Sequence, residues 1–284
     1  MSEAFPTRMP LPTPKKSLGQ CFLAEREYAR QIAQAVAGSE CKSVLEIGPG
    51  RGMLTEELLR AGLSVTAVEI DQRLIEPLQA KFGADPRFVL RHEDFLDTDF
   101  KPLLPRGEFT AAGNLPYHLV SEVLFKLFAQ VRAARRNPLL PWPERAVLMM
   151  QKEVADRVVA APGTKDWSKL SVFTQLEAAV HLLFTVPADA FRPAPKVDGG
   201  VVQLDFYRIP PSYPSDFTVF ERMVRYTFHQ RRKMLKTSLP GLAGIHPFWQ
   251  LAPLDFTRRP ETLHPAEWVI LSDVVSRAQS RPPS

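Results

Sequence analysis

The sequence predicts an α/β protein, a mainly parallel sheet with crossover helices, followed by a small helical C-terminal part. Two observations carry this. From Cys41 onward, short β-branched or apolar runs alternate with amphipathic stretches, and beyond Tyr207 the strand-like runs stop. At 284 residues and 45% hydrophobic, the chain is long enough for one full α/β domain and a smaller appendage.

In chain order, strands are expected at 43–47, 65–70, 87–90 and 109–113, with helices over 52–61, 72–82 and 119–132 between and after them. A Pro-rich connection over 137–143 precedes an apolar run at 145–150 and a helical stretch at 152–160. A further helix over 167–178 leads to two late runs, 180–186 and 200–207, which read as a hairpin closing one sheet edge. A Pro/Ser linker at 209–215 marks a boundary. The expected organisation is a flexible Pro-rich tail (1–15), a sheet domain (16–210) and a helical domain (211–284).

The formal charge of +5 suits a polyanionic partner but decides little alone. Two cysteines are too few for a disulfide framework, and no Cys/His cluster has metal-ligand spacing, so no metal and a reducing cytoplasmic setting are expected. The N-terminal stretch has no apolar targeting core, and no run of about 18 apolar residues occurs, so neither secretion nor membrane spanning is expected. A monomer is the expectation for assembly.

The segment Val44-Leu45-Glu46-Ile47-Gly48-Pro49-Gly50-Arg51-Gly52 is an apolar strand running into a glycine-rich turn and then a helix. In a doubly wound, Rossmann-like sheet this turn lies at the carboxyl edge, where Gly48 and Gly50 let the backbone approach a ligand. The next strand ends in Glu69, suited to accept from the two hydroxyls of a ribose. Together they describe a nucleoside site, open to NAD or S-adenosylmethionine, although Gly-Pro-Gly-Arg-Gly is not the dinucleotide pattern. Asp94, after the third strand, could accept from the adenine amine of the cofactor or cap a turn.

The fourth strand runs into Gly113-Asn114-Leu115-Pro116-Tyr117. An amine conjugated to an aromatic ring is a poor nucleophile because its lone pair is delocalised. The Asn114 carboxamide oxygen and the Leu115 carbonyl can accept its N–H groups and aim the lone pair at an electrophilic methyl, with Pro116 fixing the backbone and Tyr117 stacking on the ring. A plain turn with Pro116 at a first helical position is the alternative reading.

With these motifs the sequence resembles the ribosomal RNA adenine dimethyltransferases that act on the small-subunit RNA. The resemblance runs from Lys16 to about Ala266. It includes Leu18-Gly19-Gln20-Cys21-Phe22-Leu23, Gln151-Lys152-Glu153-Val154-Ala155, Phe191-Arg192-Pro193-Ala194-Pro195-Lys196-Val197-Asp198 and Phe228-His229-Gln230-Arg231-Arg232-Lys233. It implies S-adenosylmethionine as cofactor, held by Cys21, Leu23, Gly48, Glu69, Asp94 and Asn114, and a target adenine between Tyr117 and Phe191. Phe191 is expected to be exposed, in a loop rich in proline and basic residues. The implied substrate is a pair of adjacent adenosines near the 3′ end of small-subunit (16S) ribosomal RNA, each methylated twice, in a chain serving ribosome biogenesis. The chain departs from the family in having Cys21 for a usual Asn, Gly199 for Ser, Trp167-Ser168 for Tyr-Gly, and an apparent insertion at 137–143. At Cys21 a side-chain contact is replaced by whatever the backbone offers.

Residues 222–236 contain six Lys/Arg and no acid. On one continuous helix Arg222, Arg225, Arg232, Lys233 and Lys236 share a face suited to RNA phosphates, opposite Phe220, Met223, Val224, Phe228, Met234 and Leu235. Arg231 falls among the apolar positions, so it is expected to have a carboxylate or carbonyl partner, or to mark a change of helix direction. Three other functions fit parts of the pattern: a large-subunit RNA adenine methyltransferase, a ribosome-assembly or transcription-related binding factor, and an NAD oxidoreductase.

Overall fold

A computed structural model of the chain describes residues 12–15, 20–104, 107–245 and 247–279. Most of the expected N-terminal tail, Lys16 and the Leu18-Gly19 pair lie outside the described residues. The chain divides into two compact units, Met1–Ala155 with His181–Phe206, and Asp156–Val180 with Tyr207–Ser284.

The first unit opens with β1 (Phe22–Leu23) and α1 (Arg26–Ala37), then alternates β2 (Ser43–Ile47), α2 (Met53–Arg60), β3 (Ser64–Glu69), α3 (Gln72–Phe82) and β4 (Phe88–His92). It continues through α4 (Phe100–Leu103), β5 (Glu108–Asn114), α5 (Val120–Arg136) and β6 (Trp142–Gln151), and the boundary falls within α6 (Lys152–Val159). After α7 (Lys169–Glu177) the strands resume with β7 (Ala178–Val186), β8 (Phe191–Arg192) and β9 (Gly199–Phe206). Seven strands form one sheet in the order β4-β3-β2-β5-β6-β9-β7. The pairs of β2 with β3 and β5, of β3 with β4, and of β5 with β6 are parallel, and β6 pairs antiparallel with β9. The alternation in the sequence therefore becomes a Rossmann-like sheet, with β7 and β9 neighbours at its end as the hairpin reading expects.

The interior strand β2 has neighbours on both edges, and Val44, Leu45 and Ile47 are buried. Each such aliphatic side chain contributes roughly 1.5–3 kcal/mol through burial. α3 starts where the Asp71 side chain accepts from the Arg73 N–H, a standard N-cap. β6 starts at Trp142, inside the stretch expected to be a Pro-rich connection. Pro143 has no N–H to donate, and the ladder shifts register beside it, between Phe109 and Thr110 of β5.

The second unit holds α7, α8 (Phe217–His229), α9 (Leu235–Ser238) and α10 (Pro265–Gln279). Asp216 caps α8 by accepting from the N–H groups of Thr218 and Val219. Its core joins Phe173, Phe217 and Phe220, with ring centroids 5.9–6.4 Å apart, and the buried Trp268 lies beside Phe228. Asp156–Val180 precedes the linker yet groups with this unit, because α7 packs on α8 and α10.

The single helix expected through Lys236 does not form. α8 ends at His229, Gln230 leaves helical geometry, and a turn carries Arg231, Arg232 and Lys233 to α9. Arg231 takes both partner types expected of it, Glu261 Oε2 at 2.8 Å and the Lys165 carbonyl at 3.0 Å, and it sits at the change of direction. Among the described residues no helix is long and apolar enough to cross a membrane.

Gly113 sets how closely β5 approaches β2: a Cβ there would lie 2.6 Å from the Ile47 carbonyl oxygen. Gly113→Ala is therefore expected to destabilise the protein by about 1–3 kcal/mol, because backbone rather than a flexible side chain must move. Urea unfolding measures this, and an unchanged midpoint would contradict the close approach.

Candidate active site

At the carboxyl ends of β2 to β5 the chain lines one cavity, and the residues singled out from the sequence meet there: Cys21, Leu23, Gly48, Gly50, Glu69, Asp94, Asn114, Leu115, Pro116 and Tyr117. Parallel strands deliver them, since each ends at the same edge. The turn after β2 is built on positive φ at Gly48 (65°), Gly50 (58°) and Gly52 (75°). A side chain at Gly48 would meet open space, so the backbone itself faces the cavity.

Glu69, at the end of β3, is buried and holds this turn in place. Its Oε2 accepts from the Gly50 N–H at 3.0 Å and its Oε1 from the Asp71 N–H at 2.8 Å. Burial raises its carboxyl above the ordinary range, while these two donors pull the other way. Each oxygen keeps a second lone pair for a ligand hydroxyl. Asp71 in turn accepts from Arg73 and from the Gln20 Nε2 at 2.9 Å, which ties the segment before β1 to this edge. Arg51 reaches the Pro12 carbonyl at 3.0 Å and lies 4.7 Å from the centre of the Phe22 ring. Asp94 caps a turn, its Oδ1 accepting from the Leu96 N–H at 2.8 Å, and the residue also lines the cavity.

Asn114 closes β5. Its Nδ2 donates to the Cys21 carbonyl at 3.0 Å, which turns Oδ1 the other way as the acceptor end of the amide. Cys21 contributes its backbone carbonyl to this contact. Leu115 is buried, and its N–H donates to the Met149 carbonyl at 2.9 Å. Tyr117 is half-buried; burial pushes its phenol up to about 12, so it stays neutral, and its hydroxyl has no hydrogen-bond partner.

Phe191 does not fit the expectation of exposure. It is 1% exposed and does not line the cavity. β8 pairs antiparallel with β1, setting Phe191 opposite Leu23, and this long-range pairing buries the ring near Gly199. Glu46 was not singled out, yet it lines the cavity at 1% exposure, with Oε2 accepting from the Thr55 hydroxyl at 2.7 Å and Oε1 unpartnered. The sequence signal for it was an acid inside a strand apolar on both faces.

In the second unit Arg222, Arg232, Lys233 and Lys236 are exposed. Arg222 also donates to the Ala243 carbonyl at 3.0 Å. Arg225 is partly buried, pairs with Glu221 at 2.9 Å and lies 5.5 Å from the Phe173 ring centre. Among the described residues no group of three or more His, Cys, Asp or Glu side chains could hold a metal ion.

The Arg73 guanidinium beside Asp71 holds that carboxyl well below the usual carboxylate range. A depressed acid contributes stability that is fully present above its unfolded value, about 3.9, and is lost as pH falls toward its folded value. The stability gap between the native chain and Asp71→Asn is therefore expected to be constant from pH 5 to 7 and to narrow by pH 3. An equal gap at all three would contradict the Asp71 network.

A sequence model of the family described as Ribosomal RNA adenine dimethylase matches residues 12–246. A Ribosomal RNA small subunit methyltransferase A of Pseudomonas aeruginosa is 39% identical over 91% of this chain and 93% of its own. One from Acaryochloris marina is 37% identical over 95% and 100%. Among solved structures, a dimethyladenosine transferase from Plasmodium falciparum superposes with TM-score 0.70 at 24% identity, covering 88% of this chain and 95% of that one. The 23S rRNA methyltransferase ErmE does so with TM-score 0.66 at 25% identity, covering 90% and 99%. Sequence and fold agree along nearly the whole length, and the chain belongs to the ribosomal RNA adenine dimethylase family.

Proposed function

We propose that this chain dimethylates the exocyclic amine of two adjacent adenosines near the 3′ end of small-subunit ribosomal RNA, using S-adenosylmethionine. The observation that carries the reading is the Asn114 carboxamide, pinned by the Cys21 carbonyl in the same cavity as the glycine turn and Glu69. The small-subunit assignment rests on relatives of that name at 37–39% identity over nine-tenths of the chain or more.

The cavity suits the cofactor. Backbone faces it at Gly48, Glu69 offers lone pairs to a ribose, Asp94 an acceptor to an adenine amine, and Glu46 a buried carboxyl oxygen without a partner. When bound, S-adenosylmethionine supplies a methyl on a sulfonium, an electrophile that needs no further activation. Asn114 Oδ1 and the Leu115 carbonyl accept the two N–H groups of the target amine and hold its lone pair toward that methyl. Tyr117 offers one face for the base, and base–aromatic stacking is worth about 1–3 kcal/mol, against the few kcal/mol that extrusion costs. Phe191 stands behind β1 and serves as the second face only if that pairing opens. No strong base is needed, because the nitrogen becomes acidic after transfer. The monomethyl product keeps one N–H for the acceptors and the dimethyl product has none, so the same site carries two transfers and then stops.

Two predictions follow the two units. With labelled S-adenosylmethionine and unmethylated small subunits, the native chain is expected to make dimethyladenosine and Asn114→Ala to transfer at least about 100-fold more slowly, the typical cost of deleting an oriented polar group. Transfer to large-subunit RNA instead would contradict the assignment, and transfer to neither would favour a binding role.

Arg232→Ala with Lys233→Ala is expected to weaken RNA binding and to lower the salt slope by about 2, roughly one per lost phosphate contact. Arg225→Ala, whose guanidinium is held by Glu221 over Phe173, is expected to leave the slope unchanged. Equal slopes for the double variant and the native chain would remove the turn from the RNA surface.

A further inference from the structure

We propose that Glu46 is a proton-linked charge sensor for the methyl donor: protonated in the ligand-free protein, it gives its proton to solvent on binding the cationic donor and regains one when the methyl has left. The inference rests on the reading of S-adenosylmethionine as donor and concerns a residue that the transfer chemistry itself does not use.

Glu46 sits on β2, opposite Ala67 of β3 and Ala112 of β5, at 1% exposure. Its hydrogen-bond donors come from Thr55 of α2 alone, whose hydroxyl donates to Oε2, and Oε1 has no partner. A buried carboxylate with one oxygen unpartnered and no counter-charge is costly, so the neutral acid is the favoured form. The charges around it push the same way. Glu69 on β3 repels a second negative charge, and burial and that repulsion together take the Glu46 carboxyl up to about 8. α1 faces the cavity with Ile32. The other ionisable side chains of the lining are Cys21, Arg51, Glu93, Asp94, Tyr117 and His118. Arg51 is turned to the Pro12 carbonyl and the Phe22 ring.

A cation brought by the ligand is what tips this group to its charged form. S-adenosylmethionine carries one positive charge more than S-adenosylhomocysteine, the sulfonium that is spent in the transfer. The proton count closes: one leaves Glu46 on donor binding and one returns after the methyl departs. The site therefore holds donor more tightly than product by a charge term, and product leaves a neutralised cavity.

The test is calorimetric titration at pH 7 in two buffers of unlike ionisation enthalpy, with the native chain and Glu46→Gln. The amine of the ligand itself, with an ordinary value of about 7.7–8.0, titrates in both proteins and cancels in the difference. With S-adenosylmethionine the native chain is expected to release about one proton more than Glu46→Gln, and with S-adenosylhomocysteine this excess is lost. Should Glu46→Gln fail to fold, Thr55→Val keeps the carboxyl but removes its hydrogen bond, and is expected to shift the pH of half-maximal release upward. Donor binding with equal proton release in both proteins, or an unshifted profile in Thr55→Val, overturns the proposal. Failure of the native chain to bind the donor at all would overturn the cofactor reading and the proposal with it.

Discussion

The hydrogen bond from Asn114 Nδ2 to the Cys21 carbonyl joins the end of β5 to the segment entering β1, residues far apart in the chain. An amide held by its nitrogen has its oxygen aimed by default, so one contact decides where an acceptor stands. The contact depends on β5 lying close against β2. That approach depends on Gly113, whose missing side chain leaves room for the Ile47 carbonyl. Backbone packing in the sheet is in this way continuous with the placement of the Asn114 acceptor.

Around this acceptor the cavity gathers acids rather than bases. Glu69 accepts from two fixed N–H donors, Asp94 from a turn N–H, and Glu46 from the Thr55 hydroxyl. Such a lining suits a ligand that carries positive charge and ribose hydroxyls, and low dielectric strengthens each of these contacts. In the second unit Arg232 and Lys233 on the turn after α8 and Lys236 on α9 are exposed basic side chains.

The strands, their order of appearance and the glycine turn were legible because apolar periodicity and turn chemistry are local. β2 matches its expected bounds of 43–47, and α3 those of 72–82. Misreadings arose where distant residues decide. Phe191 sits in a loop of prolines and charges, but pairing with β1 buries it. The basic stretch keeps helical spacing through Lys236, yet Arg231 is drawn to Glu261 and the Lys165 carbonyl, and Leu235 and Lys236 donate to the Arg258 and Phe256 carbonyls, so the helix stops. Pro143 reads as a connector because no local rule announces the register shift that leaves Glu144 of its own strand without a partner on β5. Glu46 passed unremarked among its apolar neighbours, although an acid in such a strand was itself the clue.

The most direct measurement is single-turnover methyl transfer by Asn114→Asp to unmethylated small subunits, with RNA affinity measured on the same protein. Aspartate keeps the size and an acceptor but replaces the N–H that the Cys21 carbonyl receives, so the side chain loses its tether. The account expects the transfer rate to fall by about 100-fold or more while RNA affinity stays within a factor of about two. A transfer rate near that of the native chain would mean that the pinned amide does not orient the reacting amine.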